Sequence, residues 1–356
     1  MGEEDPPPHS LTLDLSLDIL HDACAACVCQ HFLRPLTLIP VPCYKNNPTY
    51  GVVMGEAEEP HARRRKALLA AHPELRALQG VEWRTKYVCA LLAVAQTALA
   101  GWLGCVHAGA VPLVVAAYVL GAPLAQALFL GLHELAHDLA FASPRANRAL
   151  ALWCVNLPLV FPITSSFRNY HLAHHRALGT RGADVDLPSA WEERVLLCRA
   201  PTRALWAALQ IVAYAVRPLL CDPRPLTRAH ALNASVQLTY VLVLRGACGT
   251  HALLYLLLSL LFAGGLHPCA GHFFTEHAAV AAPQETYSYY GPLNALTWNV
   301  GYHNEHHDLP RVPWSRLPRV RALAPEFYAT LARREAWCTA AWTFVWDARA
   351  SKRVAR

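Results

Sequence analysis

Three clusters of histidine carry the chain's candidate chemistry. His133 and His137 form one HxxxH pattern. Two HxxHH patterns follow it, and they contain His171, His174, His175, His303, His306 and His307. With 19 histidines among 356 residues, one HxxxH is expected by chance. Two HxxHH clusters together have a chance expectation of roughly one in a thousand. The clusters therefore indicate a functional site.

The spacing of these histidines is typical of a metal centre. Positions i, i+3 and i+4 lie on one face of a helix, so each cluster can direct its imidazoles to a common point. Neutral imidazole binds iron, copper, zinc and nickel. A zinc ion takes about three or four protein ligands, so eight histidines suit two adjacent metal ions better than one. Glu134 and His137 give one Glu-x-x-His motif, whereas soluble di-iron bundles need two.

A further ligand is expected between residues 267 and 277, where His277 is favoured and His272 is the alternative. Carboxylates near the clusters could accept the second ring N–H of a ligand histidine. The candidates are Glu134, Asp138, Asp184, Asp186, Glu305 and Asp308. Adjacency in sequence favours Asp138 and Asp308. No catalytic residue is predicted beyond the metal ligands, and the remaining histidines, including His61 and His107, are interpreted as ordinary polar residues.

The elements that must position these clusters are predicted to be membrane helices. Hydrophobic residues make up 54% of the chain and charged residues only 16%, against about 25% charge in a typical soluble protein. Apolar runs predict two transmembrane hairpins, with spans at about 87–106, 109–132, 230–244 and 250–266. The predicted fold is thus an all-α integral membrane protein with two transmembrane helical hairpins, interfacial helices and a cytosolic di-iron domain.

The segments outside the spans are assigned from their composition. Residues 1–58 are predicted to be an irregular, proline-rich extension, and 59–350 the membrane domain. Residues 204–220 are apolar but flanked by arginines, which favours an interfacial helix. Paired crossings place all three clusters on one side, and the basic residues there predict the cytosolic side. The sequon Asn233-Ala-Ser235 is therefore expected to remain unmodified.

Two other classes of membrane protein agree less well with the sequence than an enzyme does. A metal transporter places its ligands near the middle of the membrane, whereas these clusters lie at or beyond helix ends. A non-catalytic lipid-binding protein would not need all eight histidines. No block of basic residues alternates with aromatic residues, so no nucleic-acid partner is expected. An enzyme acting on a lipid hydrocarbon chain is favoured.

The longer strings around the clusters resemble a known family. The order HxxxH, HxxHH, HxxHH on apolar hairpins resembles the membrane fatty-acid desaturases and hydroxylases. Within that superfamily, the sphingolipid Δ4-desaturases are similar in several strings. These strings are residues 171–176, 182–188, 265–268, 271–273, 276–277, 285–294 and 299–308. The resemblance covers about 59–347 and departs at the N-terminus, where about 50 unrelated residues replace a usual myristoylation motif.

The resemblance implies a multi-pass enzyme of the endoplasmic reticulum that introduces a trans double bond at carbons 4 and 5 of the sphingoid base of dihydroceramide. It also implies two non-haem irons held by the eight cluster histidines, dioxygen as oxidant, and NADH electrons delivered by cytochrome b5 and its reductase. Some members hydroxylate carbon 4 and make phytoceramide. The same site can give either product, because an unactivated methylene yields only to oxygen activated on a metal.

Overall fold

The computed structural model describes residues 60–180, 183–277, 284 and 286–347. The predicted extension 1–58 lies outside these residues. The described part is mostly helical. Its helices are α1 Pro60–Ala71, α2 Arg84–Cys105, α3 Ala110–Ala136, α4 Pro144–Leu150, α5 Thr164–Ala177, α6 Ala200–Ala208, α7 Gln210–Cys221, α8 Arg228–Cys248, α9 Thr250–Ala263, α10 Gly271–Thr275, α11 His303–Asp308, α12 Leu317–Leu323 and α13 Ala340–Trp346. Two short parallel strands, β1 Ser288–Tyr289 and β2 Arg333–Arg334, form a minimal sheet.

Helices α2 and α3 form the first predicted hairpin. They contain 22 and 27 residues, and both are long and apolar enough to cross a membrane. At a rise of about 1.5 Å per residue, either helix exceeds the ~30 Å thickness of a hydrocarbon core. Two candidate membrane helices therefore overlap the spans predicted at about 87–106 and 109–132. Helix α3 then continues past the predicted end of its span and carries the HxxxH cluster with it.

Helices α8 and α9 correspond to the second predicted hairpin, and they turn at Gly249, whose φ of 78° lies in the left-handed region. By length and composition, α8 does not qualify as a span, and α9 qualifies only together with residues 268–275, which bend away by 51°. The described residues therefore contain two clear spanning helices, or up to four if each bent pair crosses once.

The polarity of α8 has a structural reason. Asn233 and Gln237 are buried in the protein. The amide of Gln237 donates to the carbonyl of Leu157 and accepts from Asn156. These partners lie at residues 156–157, between α4 and α5. The amide of Gln237 is thus paired inside the protein, and the side-chain oxygen of Asn233 accepts the backbone N–H of Ser165.

The predicted interfacial segment 204–220 is a bent pair of helices. Helices α6 and α7 meet at Leu209 with a bend of 84°. Their outer face exposes large aliphatic side chains at Leu205, Leu209, Val212, Val216, Leu219 and Leu220. The inner face buries Arg217, whose guanidinium pairs with Glu192 at 2.7 Å. The pair is amphipathic, as an interfacial element must be.

Close packing joins the hairpins to each other. Gly121, in a wider π turn of α3, lies where α9 approaches, and a Cβ there would collide with Ser259 and with the Tyr255 hydroxyl. On the side of the histidine clusters, a separate apolar core of α1, α12 and the segment 309–328 covers α11. The ends of α3, α5 and α11 are thereby held against each other.

Candidate metal centre

The first cluster lies at the end of α3. His133 occupies the last helical turn, and His137 caps the helix with its backbone N–H bonded to the carbonyl of His133. The helix end is fixed by Arg168 of α5, whose guanidinium donates to the carbonyls of Leu135 and Ala136. Both imidazoles therefore project from a fixed helix end toward α5.

The second cluster lies in the last turns of α5. His171 and His174 are buried, and the ring of His171 stacks on Phe167 with centroids 5.2 Å apart. The spacing i, i+3, i+4 brings His171, His174 and His175 to one side of the helix, as the sequence predicted.

The third cluster lies in the six-residue helix α11, in which every residue is buried. Glu305 anchors this short helix, because its carboxylate accepts hydrogen bonds from Ser288 at 2.8 Å and from Tyr290 at 2.7 Å. His303, His306 and His307 are thus presented from a turn fixed by side chains rather than by helix length.

Nine histidines converge in two groups. In the first, the ring nitrogens of His133, His137, His171, His175 and His306 all lie within 4.8 Å of one another. In the second, His174, His277 and His307 meet the same limit. His303 adjoins the second group, with its Nε2 atom 3.1 Å from Nε2 of His277. Each group satisfies the geometric requirement for holding a metal ion.

The protonation of these rings fits metal binding. Burial lowers the pKa of His171, His175 and His306 well below the ordinary value, so the rings are neutral. Nε2 of His171 lies 2.8 Å from Nε2 of His137 and 3.1 Å from Nε2 of His175. A single N–H of His171 cannot make both contacts. A metal ion between the rings would bind the nitrogen lone pairs that face each other, and no proton is then needed between them. Imidazole nitrogen in this number suits first-row transition metals.

Several buried ring nitrogens in the described part of the chain have no hydrogen-bond partner. They are Nδ1 of His277, Nδ1 of His303, Nδ1 of His306 and Nε2 of His307. Buried polar groups without partners are rare in folded proteins and call for a specific reason. The four unpaired nitrogens belong to histidines in or beside the two groups, and this set of imidazoles is one that a metal ion can bind.

The carboxylates that orient the histidines are not those favoured by adjacency. Asp138 pairs with Arg168 at 2.8 Å, and Asp308 pairs with Arg64 at 2.6 Å. Among the described hydrogen bonds, neither reaches a cluster histidine. The expectation that Asp138 and Asp308 orient cluster histidines was therefore wrong. Both carboxylates pair with arginines of other helices, and the backbone at Asp138 has a positive φ of 59°.

Asp184 instead orients a cluster histidine. Its Oδ1 atom lies 2.8 Å from Nδ1 of His174, and its other oxygen accepts the backbone N–H of Gly179. Although burial opposes protonation, the carboxylates of Asp184 and Asp186 raise the pKa of His174 to about 9. With Nδ1 committed to Asp184, Nε2 of His174 is left to face the second group.

The segment 267–277 divides its histidines between two roles. His277 is a member of the second group, whereas His272 belongs to neither group. Nδ1 of His272 lies 3.1 Å from Glu276, and its other ring nitrogen contacts the amide of Gln126. Glu276 in turn lies 3.6 Å from His303.

His61, which the sequence predicts to be an ordinary polar residue, lies directly behind the site. It is 3% exposed, its Nδ1 atom is 2.6 Å from Asp308, and its ring centroid is 5.2 Å from that of His307. It lies 246 residues before His307, so no local spacing in the sequence could have revealed this contact.

A pocket opens against the metal groups. Its walls are mainly aromatic and aliphatic side chains from α3, α6, α7, α10 and α13, including Phe129, Leu130, Trp206, Phe273, Phe274 and Phe344. His133, His171 and His303 form part of the same lining. The pocket therefore places apolar side chains directly beside histidines of both groups.

Comparison with known proteins agrees with this geometry. Residues 108–337 match the family described as fatty acid desaturase, and residues 56–84 match the family described as sphingolipid Delta4-desaturase. The sphingolipid delta(4)-desaturase of Komagataella phaffii is 42% identical over 301 residues, which cover 82% of this chain and 83% of that protein. The sphingolipid delta(4)-desaturase DES1 of Drosophila melanogaster is 42% identical, with 82% and 90% covered. The sphingolipid delta(4)-desaturase/C4-monooxygenase DES2 of Bos taurus is 41% identical, with 82% and 89% covered.

Proposed function

The chain belongs to the sphingolipid Δ4-desaturase family of fatty acid desaturases, and we propose that it converts dihydroceramide to ceramide by introducing a trans 4,5 double bond into the sphingoid base. The observation that carries the proposal is the convergence of nine histidines beside a pocket with mainly apolar walls in a chain of this family. The protein is an oxidoreductase, and its substrate is a lipid.

We assign two non-haem irons to the two histidine groups. His133, His137, His171, His175 and His306 would hold one iron, and His174, His277, His303 and His307 the other. His272 is assigned to the support of Glu276 rather than to a metal. Bound iron with dioxygen supplies the oxidising power needed to remove hydrogen from an unactivated methylene group.

The protein's own part in the reaction is to position the substrate and to exclude water. The apolar pocket walls hold the hydrocarbon chain beside the histidine groups, and a dry site prevents wasteful consumption of the oxidant. In balance, dihydroceramide gives up two hydrogen atoms, NADH and one proton supply two electrons and two protons, and dioxygen is reduced to two waters.

A second product is favoured by one comparison. The bovine relative carries both desaturase and C4-monooxygenase in its name. If the substrate lies slightly differently against the irons, oxygen would be inserted at carbon 4, giving phytoceramide. Both products require the same metal groups and the same pocket.

Location and electron supply follow from the family resemblance and from charge. We place the protein in the membrane of the endoplasmic reticulum with the histidine groups on the cytosolic side, where basic residues cluster at 63–66, 194–203 and 311–321. The electron donors would be cytochrome b5 and its NADH-dependent reductase. Microsomes depleted of cytochrome b5 should then lose NADH-driven turnover.

The native sequon cannot report this topology, because Asn233 is buried and 0% exposed. A glycosylation sequon engineered into the turn at 106–109, at the end of α3 opposite the histidines, is the better probe. Its modification in the endoplasmic reticulum would support a cytosolic site. Modification of a second engineered sequon near residue 330, with the first unmodified, would invert the proposed topology.

The decisive experiment is expression of the chain in cells that lack dihydroceramide desaturase, supplied with isotopically labelled dihydroceramide. Mass spectrometry should detect labelled ceramide that has lost two hydrogens, with any phytoceramide detected as the product that has gained one oxygen. If the expressed, iron-loaded protein left labelled dihydroceramide unchanged, the proposed function would be wrong.

A further inference from the structure

Gln210 is a buried polar residue whose hydrogen-bonding capacity the protein does not use. It is the first residue of α7, directly after the 84° bend at Leu209, and it is 4% exposed. Its Oε1 atom is buried and has no hydrogen-bond partner among the described residues. The side chain lines the same pocket as His133, His171 and His303.

An amide oxygen in this position is costly unless something pairs with it. A buried acceptor without a partner loses its hydration and receives nothing in return. The other unpaired non-histidine acceptor in this pocket is Oε1 of Glu276, which lies beside His277 and belongs to the metal side. No hydrogen bond of the described residues joins Gln210 to a proposed ligand, and an amide oxygen is not among the imidazole nitrogens assigned to the metals.

Gln210 and Tyr214 form a polar patch in a pocket whose other non-histidine side chains are mostly apolar. Tyr214 lies one helical turn further along α7 on the same face, and its hydroxyl is hydrogen-bonded to the carboxylate of Asp186. Both residues line the pocket with Gln210. On the other side, the walls are aromatic and aliphatic side chains such as Phe129 and Phe274.

A plain acyl chain has no donor to offer this patch. A sphingolipid substrate has several close to the reacting carbons, because carbon 3 bears a hydroxyl, carbon 2 an amide N–H and carbon 1 a second hydroxyl. A donor in this headgroup would satisfy Oε1 of Gln210 while the hydrocarbon beyond carbon 4 lies along the apolar wall.

We propose that Gln210 binds the polar headgroup of the sphingoid substrate by accepting a hydrogen bond from a hydroxyl or amide N–H, and so sets which carbons face the metal groups. The inference rests on the proposed function, because it names the part of that substrate which the pocket recognises. Gln210 is a substrate-positioning residue, and the chemistry at carbons 4 and 5 depends on it only through placement.

The test is a cycle between a protein change and a substrate change. Purified wild-type protein and Gln210→Leu are compared on dihydroceramide and on its 3-deoxy, 1-deoxy and N-methyl analogues. On dihydroceramide, Gln210→Leu should lose about tenfold in kcat/KM, mainly through KM, as expected for one lost hydrogen bond that leaves a donor unpaired. For one analogue, the kcat/KM of the wild type should fall by a similar factor, whereas the kcat/KM of Gln210→Leu should fall almost no further.

Two variants make the comparison specific. Gln210→Glu keeps an oxygen acceptor at the same place and should retain the discrimination between dihydroceramide and that analogue. Gln237→Leu removes another buried glutamine, whose groups are already paired within the protein, and should leave the discrimination ratio at its wild-type value. If Gln210→Leu does not fold with its iron, Gln210→Asn takes its place in the same comparison. The asparagine side chain is one methylene shorter, so its amide oxygen lies further from the headgroup.

The outcomes separate this inference from the proposed function. If wild type does not turn over dihydroceramide at all, the proposed function fails. If wild type is active, but losses from Gln210→Leu and from every analogue simply multiply, Gln210 does not contact the headgroup and the inference is overturned. A shift in the ratio of ceramide to phytoceramide in Gln210→Leu would be a further result in its favour.

Discussion

The Oδ1 atom of Asp184 lies 2.8 Å from Nδ1 of His174, and both side chains are almost fully buried. The same carboxylate accepts the backbone N–H groups of Gly179 and Asp186, so its position is fixed by the loop that follows α5. A carboxylate held in this way fixes the orientation of the imidazole and increases its basicity. The second histidine group therefore depends on a residue outside all three clusters.

Asp184→Asn should weaken metal binding in the second group. The amide keeps the shape of the side chain but not its charge, and loss of such a partner typically costs about 10- to 100-fold in metal affinity. Iron per chain, measured by elemental analysis after dialysis against a chelator, should fall from about two toward one. Asp138→Asn is the matched control, because Asp138 pairs with Arg168. Equal iron loss in both variants would contradict the assigned role of Asp184.

The two histidines of the segment 267–277 should respond differently to substitution. His277→Ala removes a member of the second group and should lower iron content and abolish turnover. His272→Ala removes a partner of Glu276 and Gln126 and should keep both irons while lowering activity moderately. Elemental analysis of matched preparations separates the two. Iron loss in His272→Ala with retention in His277→Ala would reverse the assignment.

The histidine groups could be predicted because their information is local. An i, i+3, i+4 triplet specifies one face of a helix whatever surrounds it. The partners of the histidines could not be predicted in the same way. Asp184 reaches His174 through a loop, and His61 meets Asp308 across 247 residues. Such contacts depend on how helices pack, and adjacency in sequence indicated the wrong carboxylates.

The membrane helices show a similar division. Helices α2 and α3 could be predicted because each contains a long apolar run. Helix α8 could not be assigned with equal firmness, because its composition includes Asn233 and Gln237, which the fold buries. The arginines that flank the apolar run 204–220 indicated an interfacial helix, whereas the bend at Leu209, next to the pocket residue Gln210, depends on tertiary packing.

The buried pair of Glu192 and Arg217 should make stability depend on acidic pH. Although burial opposes ionisation, hydrogen bonds and charge from Arg217 lower the pKa of Glu192 to about 2. The unfolded chain has the ordinary value of about 4.3. A lowered folded-state pKa contributes stability that is fully present above the unfolded pKa and is lost as pH falls through about 2. Thermal unfolding of detergent-solubilised protein between pH 6 and pH 3 should follow this trend.

Glu192→Gln tests the origin of that trend. Removing the carboxylate leaves the Arg217 charge buried without its partner, which should cost about 3 kcal/mol or more. The loss of folding stability between pH 6 and pH 3 should also become smaller. Glu192→Gln combined with Arg217→Met should recover much of the loss, because the unpaired charge of Arg217 is then also removed. Glu335→Gln is the control, since its pair with Arg333 is exposed and should contribute almost nothing. Equal effects of Glu192→Gln and Glu335→Gln would exclude the buried pair as the cause.

His306→Ala should abolish conversion of dihydroceramide to both products. His306 belongs to the group of five, and its Nε2 atom lies 3.1 Å from Nε2 of His175, so its removal opens a coordination position that the described histidines cannot fill. Apolar helices α2 and α3 insert without metal, so protein abundance on an immunoblot should change little while iron per chain falls. His107→Ala provides the control, because His107 is exposed in the turn between α2 and α3, at the opposite end of α3 from the cluster. Its activity should remain at the wild-type level in desaturase-deficient cells. Normal turnover in His306→Ala together with loss in His107→Ala would mean that the site lies at the other end of the hairpin.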